Sequence, residues 1–180
     1  IGTRPYQQIP FQFSCHVERD QDKIEHEEFL DVTGLDPRRQ FAETLLTICG
    51  DRGPVIVYNQ SFEKRVIKEL AEQFGDLAEA LLTINTRIFD LLPIVKNHYY
   101  HPDMKGSWSI KKVLPCLVPE LRYDALGEVQ DGTQAQQAYL QIYEGTLTPL
   151  AQDKLIENMK AYCALDTLAM VKIVERLKSP

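Results

Sequence analysis

The sequence lacks the features of several protein classes. No apolar run approaches the ~20 residues that a membrane-spanning helix needs, and the segment 1–6 has no apolar core of a secretory signal. None of the four cysteines forms a C-x-x-C pair, which disfavours zinc ribbons and thioredoxin-type chemistry. Glycine-rich phosphate loops and nucleophile elbows are also missing. We therefore expect reduced thiols and a cytoplasmic location.

The chain also lacks an excess of basic residues. Its formal net charge of -6 argues against a surface that holds nucleic acid by charge alone. A nuclease stays possible, because metal sites are built from carboxylates and the bound cations reverse the local field. The 180 residues and 44% apolar content fit one soluble domain. Since the sequence has no initiator Met, we expect residues 1–180 to be a fragment of a longer protein.

Hydrophobic periodicity predicts strands early in the chain and helices later. Pro10–Val17 and Glu25–Leu30 have the composition of paired strands, and the run Pro54–Tyr58 (PVIVY) fits a strand buried on both faces. Helices are predicted to follow Asp36, Asn59–Ser61, Gly75, Asp90, Trp108, Asp131 and Thr148. Pro115 and Pro119 are predicted to act as helix breakers. This order predicts the α/β class, with a mixed sheet flanked by helices.

The last helical run, roughly Thr148–Leu177, sets an acidic residue against a face that should be buried. Tyr162 and Asp166 are four residues apart, so they lie one turn apart on one helix face. A lone buried carboxylate is costly, so it needs a partner, a metal or a raised pKa. This helix alone leaves two interpretations open: an Asp that meets an Arg or water, and a metal ligand.

A second candidate stretch, Asn59–Glu63, begins where the predicted buried strand ends. Ligands of open α/β sheets bind at that edge. In the structural interpretation, Asn59 or Ser61 caps the following helix, and Glu63 lies near its positive N-terminus. In the functional interpretation, Glu63 directs a carboxylate toward a metal, and Asn59 contacts substrate.

The segment 98–112 (HYYHPDMKGSWSIKK) combines aromatic and basic residues. Its tyrosines and Trp108 are able to stack on bases, and Lys111 with its neighbouring lysines is able to meet phosphates. The alternative is a surface loop that its Trp anchors to the core. His98 and His101 have no third ligand beside them, which disfavours zinc.

Together these stretches resemble two of the three motifs of the DnaQ-like, or DEDD-type, 3′–5′ exonuclease superfamily, which has a ribonuclease-H-like fold. Asn59, Phe62 and Glu63 match the second motif, with Glu in place of the more usual Asp. Tyr162 and Asp166 match the third motif of the tyrosine subtype. The chain is similar to an uncharacterised bacterial domain family within that superfamily. The resemblance is carried by YQQIPFQFSCHV, VIVYNQSF, GSWSIKKVL and YCALDT.

The resemblance implies hydrolysis of phosphodiester bonds at single-stranded DNA or RNA ends by a two-metal mechanism. It implies Mg²⁺ or Mn²⁺ as the cofactor, since the ligands are oxygens. Asp166 and Glu63 would be metal ligands, and Tyr162 would orient the attacking water. The residues expected to contact nucleic acid are Asn59, Phe62, Trp108 and Lys111.

One departure from the superfamily concerns its first motif, Asp-x-Glu on the opening strand. No such motif precedes Pro10. We therefore expect the chain to lack the first strand of the ribonuclease-H-like sheet and to be inactive as a fragment. The alternative is a catalytically inactive nucleic-acid-binding or scaffolding module that retains the fold.

Overall fold

Two pairs of strands and seven helices make up the described part of the protein, which confirms the predicted α/β class. The computed structural model describes residues 8–20, 23–123 and 126–178, so the start of the YQQIPFQFSCHV stretch lies outside them. Strand β1 (Gln12–Asp20) pairs antiparallel with β2 (Lys23–Leu30). Strand β3 (Val55–Val57) pairs parallel with β4 (Ile88–Asp90). The helices are α1 (Arg38–Cys49), α2 (Ser61–Gln73), α3 (Ala78–Arg87), α4 (Leu91–His98), α5 (Ile110–Leu117), α6 (Gly132–Glu144) and α7 (Pro149–Lys178).

Strand β1 has helices on both of its faces, because successive side chains point to opposite sides of a strand. On one face, the rings of Phe13 and Phe41 of α1 meet edge to face, with centroids 4.9 Å apart. On the other face, the Gln12 side chain donates to the backbone carbonyl of Met159 on α7 at 2.9 Å. The hairpin is thus the layer that separates α1 from α7.

Helix α7 is held by residues that its period of 3.6 places on the inner face. Met159, Ala169 and Ile173 are fully buried. The helix begins as predicted after Thr148, whose carbonyl accepts from Gln152 N at 2.9 Å. No helix in the described part of the chain has the length and apolar character to cross a membrane.

Two local predictions were wrong. The α2 N-terminus receives no side-chain cap from Asn59 or Ser61. The Asp90 carboxylate of β4 instead accepts from the backbone N–H groups of Asn59 and Gln60 just before the helix, a contact that sequence spacing does not reveal. Pro115 lies inside α5 instead of ending it. The short helix tolerates Pro115 because the lost hydrogen bond falls in its C-terminal half, two residues before its end.

Candidate functional site

Asp166 lies among two tyrosines and a lysine that come from different parts of the chain. The Tyr123 hydroxyl donates to Asp166 Oδ1 at 2.6 Å, and only 7% of Tyr123 is exposed. Lys111 Nζ lies 5.5 Å from the ring centroid of Tyr162 and 5.6 Å from that of Tyr123, within cation–π range. We call Lys111, Tyr123, Tyr162 and Asp166 the α7 cluster. The predicted pair on α7 thus lies beside one residue of α5, Lys111, and one residue of the segment after α5, Tyr123.

Burial dominates the electrostatics of this cluster. It raises the pKa of Asp166, although hydrogen bonds from Tyr123 and Tyr162 and the charge of Lys111 oppose the shift. Burial and the Asp166 carboxylate both raise the pKa of Tyr162. Its phenol therefore stays protonated at neutral pH, which suits a hydrogen-bond donor and not a general base. A buried acid with a perturbed pKa is a physical signature of functional sites.

Next to Asp166, Thr167 joins α7 to the hairpin through a polar network. Its hydroxyl lies 3.0 Å from Ser14 Oγ and 2.8 Å from His16 Nδ1. Ser14 Oγ also lies 2.7 Å from His26 Nε2. These bonds fix the rotation of α7 against β1 and therefore the direction of the Asp166 side chain. Our sequence reasoning missed this network, although polar residues at alternate positions of β1 were a visible signal.

The carboxyl end of β3 carries the second predicted half of the site. Asn59 has a φ of 71°, in the left-handed region that Asn tolerates better than most residues. The Asp90 carboxylate accepts from Asn59 N at 2.8 Å and from Gln60 N at 3.1 Å. It also accepts from Leu92 N at 3.0 Å, which confirms its predicted role as the cap of α4. The Asp90 carboxylate therefore positions the loop after β3 and the N-termini of helices α2 and α4.

Glu63 lies in the first turn of α2, as predicted. Its Oε2 is buried and has no hydrogen-bond partner. Burial raises the pKa of this carboxyl, and the charge of Asp90 adds to the shift. A buried carboxylate oxygen without a donor is uncommon in folded proteins and fits an atom that awaits a cation or a proton. Phe62 beside it is 53% exposed, with the Arg65 guanidinium 5.6 Å from its ring centroid.

Trp108 anchors its loop to the core. Its Nε1 donates to the carbonyl of Tyr99 at 3.2 Å, and the Tyr58 hydroxyl donates to the carbonyl of Trp108 at 2.6 Å. Trp108 and Asn59 line the same open groove. Lys111 is engaged within the chain, since its Nζ donates to the carbonyl of Gln130. The contacts of these residues with nucleic acid stay predictions.

The predicted metal ligands do not make up a complete metal centre. Across residues 8–20, 23–123 and 126–178, no group of three or more His, Cys, Asp or Glu side chains is able to hold a metal ion. Asp166 and Glu63 alone therefore do not fit the two Mg²⁺ or Mn²⁺ ions that the resemblance implies. Further acids are needed for such a centre.

Three proteins similar to this chain carry the name of an uncharacterized protein. It is 30% identical over 145 residues to the uncharacterized protein UU173 of Ureaplasma parvum serovar 3, covering 66% of this chain and 19% of the relative. It is 29% identical over 131 residues to the uncharacterized protein MG366 of Mycoplasma genitalium, covering 66% and 20%. It is 27% identical over 152 residues to the uncharacterized MG366 homolog of Mycoplasma pneumoniae, covering 78% of this chain and 23% of the relative. The chain thus spans about a fifth of the length of these relatives.

No solved structure matches the chain. A family model does match, over residues 1–109, which include both strand pairs, the Asn59–Glu63 stretch and Trp108. The protein therefore belongs to the family described as domain of unknown function DUF2779.

Proposed function

We propose that this chain is part of a 3′–5′ exonuclease-type domain of the DnaQ-like, tyrosine subtype, acting on single-stranded DNA or RNA ends in the cytoplasm with Mg²⁺ or Mn²⁺. The observation that carries the proposal is the Asp166 carboxyl, half-buried on α7 beside a protonated Tyr162 and fixed at one oxygen by Tyr123. The cost of burying this acid favours a role in chemistry over a role in stability.

Each half of the proposed site has a task that its surroundings support. The Tyr162 hydroxyl donates its proton to Asp166, so its oxygen is left to accept a hydrogen bond from the attacking water and orient it. Asp166 and Glu63 supply carboxylates, and Asn59 holds the loop that leads into α2, whose first turn carries Glu63. Both strand pairs have unpaired edges among the described strands. Such edges favour the addition of another strand, which is where the remaining acids of a nuclease site would stand.

The test is made on the full-length protein that contains this chain, with 5′-labelled single-stranded oligonucleotides and Mg²⁺ or Mn²⁺. We expect stepwise shortening from the 3′ end, and loss of measurable shortening in Asp166→Asn. The matched control is Asp153→Asn, since Asp153 is an exposed acid on the same helix. Equal digestion by Asp166→Asn and the parent protein contradicts the proposal.

A second candidate function is a catalytically inactive nucleic-acid-binding or scaffolding module. It is favoured by one observation: the described residues contain no group of three or more potential metal-binding acids, His or Cys. Binding of oligonucleotides without shortening, in both parent and Asp166→Asn proteins, supports this candidate. An Asp-x-Glu motif in the longer protein that aligns on the free edge of β1 or β3 contradicts it.

A further inference from the structure

An open groove lies between α4 and the loop that Trp108 anchors. Its volume is about 580 Å³, within the range of about 300–1,000 Å³ that ligand sites occupy. Asn59 at the carboxyl end of β3 forms one wall, and Lys96 of α4 forms another. Because the groove is open to solvent, it fits a segment of a longer polymer better than an enclosed small molecule.

Trp108 presents a fixed aromatic surface to this groove. The indole nitrogen and the backbone carbonyl of Trp108 are both hydrogen-bonded, to Tyr99 and Tyr58 respectively. Burial raises the pKa of Tyr58 to about 12, so its hydroxyl keeps the proton that it donates. A rigid ring loses little conformational entropy when a base stacks on it, and base–aromatic stacking is indifferent to sequence.

Lys96 adds a cation over that ring. Its Nζ lies 6.0 Å from the Trp108 ring centroid, and its side chain is exposed. The segment 96–112 holds four lysines and one acid, Asp103, in a chain whose net charge is -6. This local excess of positive charge favours an anionic ligand, and an aromatic ring beside a lysine matches a base beside its phosphate.

Two residues that line the groove are followed in the sequence by residues of the two halves of the proposed site. Ile110 lines it, and the next residue, Lys111, belongs to the α7 cluster with Tyr162 and Asp166. Asn59 lines it from the other side and begins the stretch that contains Glu63. Ile110 and Asn59 thus connect the groove, along the chain, to the α7 cluster and to the stretch that holds Glu63.

We propose that this groove binds a nucleotide unit of single-stranded nucleic acid, with the base on Trp108 and the phosphate on Lys96. The inference rests on the proposed function for its substrate class and assigns to Lys96 a role that sequence reasoning did not reach. Binding of nucleic acid in this groove does not require catalysis, so it can be measured independently of nuclease activity.

The experiment measures Trp108 fluorescence in the full-length protein, in EDTA, as an oligothymidylate of about ten nucleotides is added. The signal of Trp108 is the difference in emission between the parent protein and Trp108→Phe. We expect quenching by the oligothymidylate, and less quenching by an abasic oligonucleotide of equal length or by thymidine monophosphate alone. Lys96→Glu is expected to weaken binding about tenfold at low salt.

Lys96→Gln allows a second measurement, the salt dependence of binding, which a folding defect would not change in the same way. The slope of log K against log salt concentration is expected to fall in magnitude by about 0.7, the contribution of one phosphate contact on a single strand. The matched control is Lys154→Gln, because Lys154 is an exposed lysine on α7 that pairs with Glu128. An unchanged slope in Lys96→Gln, or equal quenching by the abasic oligonucleotide, overturns the inference.

The outcomes separate this inference from the proposed function. Quenching and Lys96-dependent binding without any nuclease activity contradict the function and leave the groove assignment intact. Nuclease activity with binding that ignores Lys96 and Trp108 contradicts the groove assignment and leaves the function intact.

Discussion

The two halves of the candidate site differ in how completely the chain satisfies their polar atoms. In the α7 cluster, Asp166 has a tyrosine donor at 2.6 Å and a lysine nearby. In the stretch after β3, Glu63 Oε2 is buried without a hydrogen-bond partner, and Asn59 lines an open groove. The Asp166 carboxyl is thus paired within this chain, whereas the β3 half has an unpaired carboxylate oxygen and an open surface.

This difference shows how the site divides its work. A carboxyl that must keep one orientation is supported by several elements, here α5, the segment after it and α7. In the proposed function, the open surface receives the substrate, and Asn59, whose backbone is strained, is held by a hydrogen bond to Asp90. Four predictions test this contrast through the free energy of unfolding of the full-length protein.

The largest effect is expected for Leu114→Ala. Leu114 is fully buried in the apolar cluster that contains Tyr123, Ala169 and Leu165, directly under the α7 cluster. Its truncation removes contacts and leaves a cavity, so unfolding should become easier by about 2–5 kcal/mol. Urea titration measures the change, and Leu150→Ala, at a residue 81% exposed, is the control. Equal stability of the two variants contradicts the packing that supports Asp166.

A smaller loss is expected for Tyr123→Phe. This substitution keeps the ring and removes only the hydroxyl that donates to Asp166 Oδ1. A hydrogen bond to a charged group contributes about 2 kcal/mol, so the loss should be of that size at neutral pH. Tyr143→Phe is the control, because Tyr143 is 60% exposed. If both variants unfold at the same urea concentration, Tyr123 does not stabilise the half-buried carboxylate of Asp166.

Asp166→Asn should change stability in the opposite direction. Burial raises the pKa of Asp166 above its ordinary value of 3.8, so the folded protein holds this proton more tightly than the unfolded chain. The stability gained from protonation is complete below that ordinary value and is lost as pH rises through the folded pKa. The neutral amide avoids this loss, so Asp166→Asn should be more stable by about 1 kcal/mol at neutral pH in EDTA.

The pH dependence supplies the control for Asp166→Asn. The advantage of the variant should shrink on acidification, because the parent carboxyl then takes up its proton. A variant that is less stable than the parent at neutral pH means that Asp166 serves as a structural partner of Tyr123 and Lys111. Thermal unfolding followed across the acidic range distinguishes the two cases.

The smallest effect on stability is expected for Phe62→Ala, at the open half. Phe62 is 53% exposed, so its truncation should change the free energy of unfolding by less than about 0.5 kcal/mol. Its effect should appear instead in oligonucleotide binding, weakened about fivefold if the ring stacks on a base. Unchanged binding by Phe62→Ala removes this residue from the proposed interface.

Much of the fold could be predicted from local pattern. The apolar run before Tyr58 predicted β3, and the capping residues Asp90 and Asp131 predicted the starts of α4 and α6. Side-chain period fixed the shared face of Tyr162 and Asp166. These features depend on residues within one or two turns of each other, so the sequence contains the whole cause.

The partners of those residues were decided only by tertiary structure. The hydrogen bond from Tyr123 to Asp166 joins residues 43 positions apart, and the bond from the backbone N–H of Asn59 to Asp90 joins residues 31 positions apart. Nothing in local spacing marks either contact, because both depend on how α5 and β4 pack against elements far away in sequence. The sequence alone determined that an acid would stand on the inner face of α7. Packing decided that the Tyr123 hydroxyl and the Lys111 cation lie beside this acid. Packing also left the groove after β3 open.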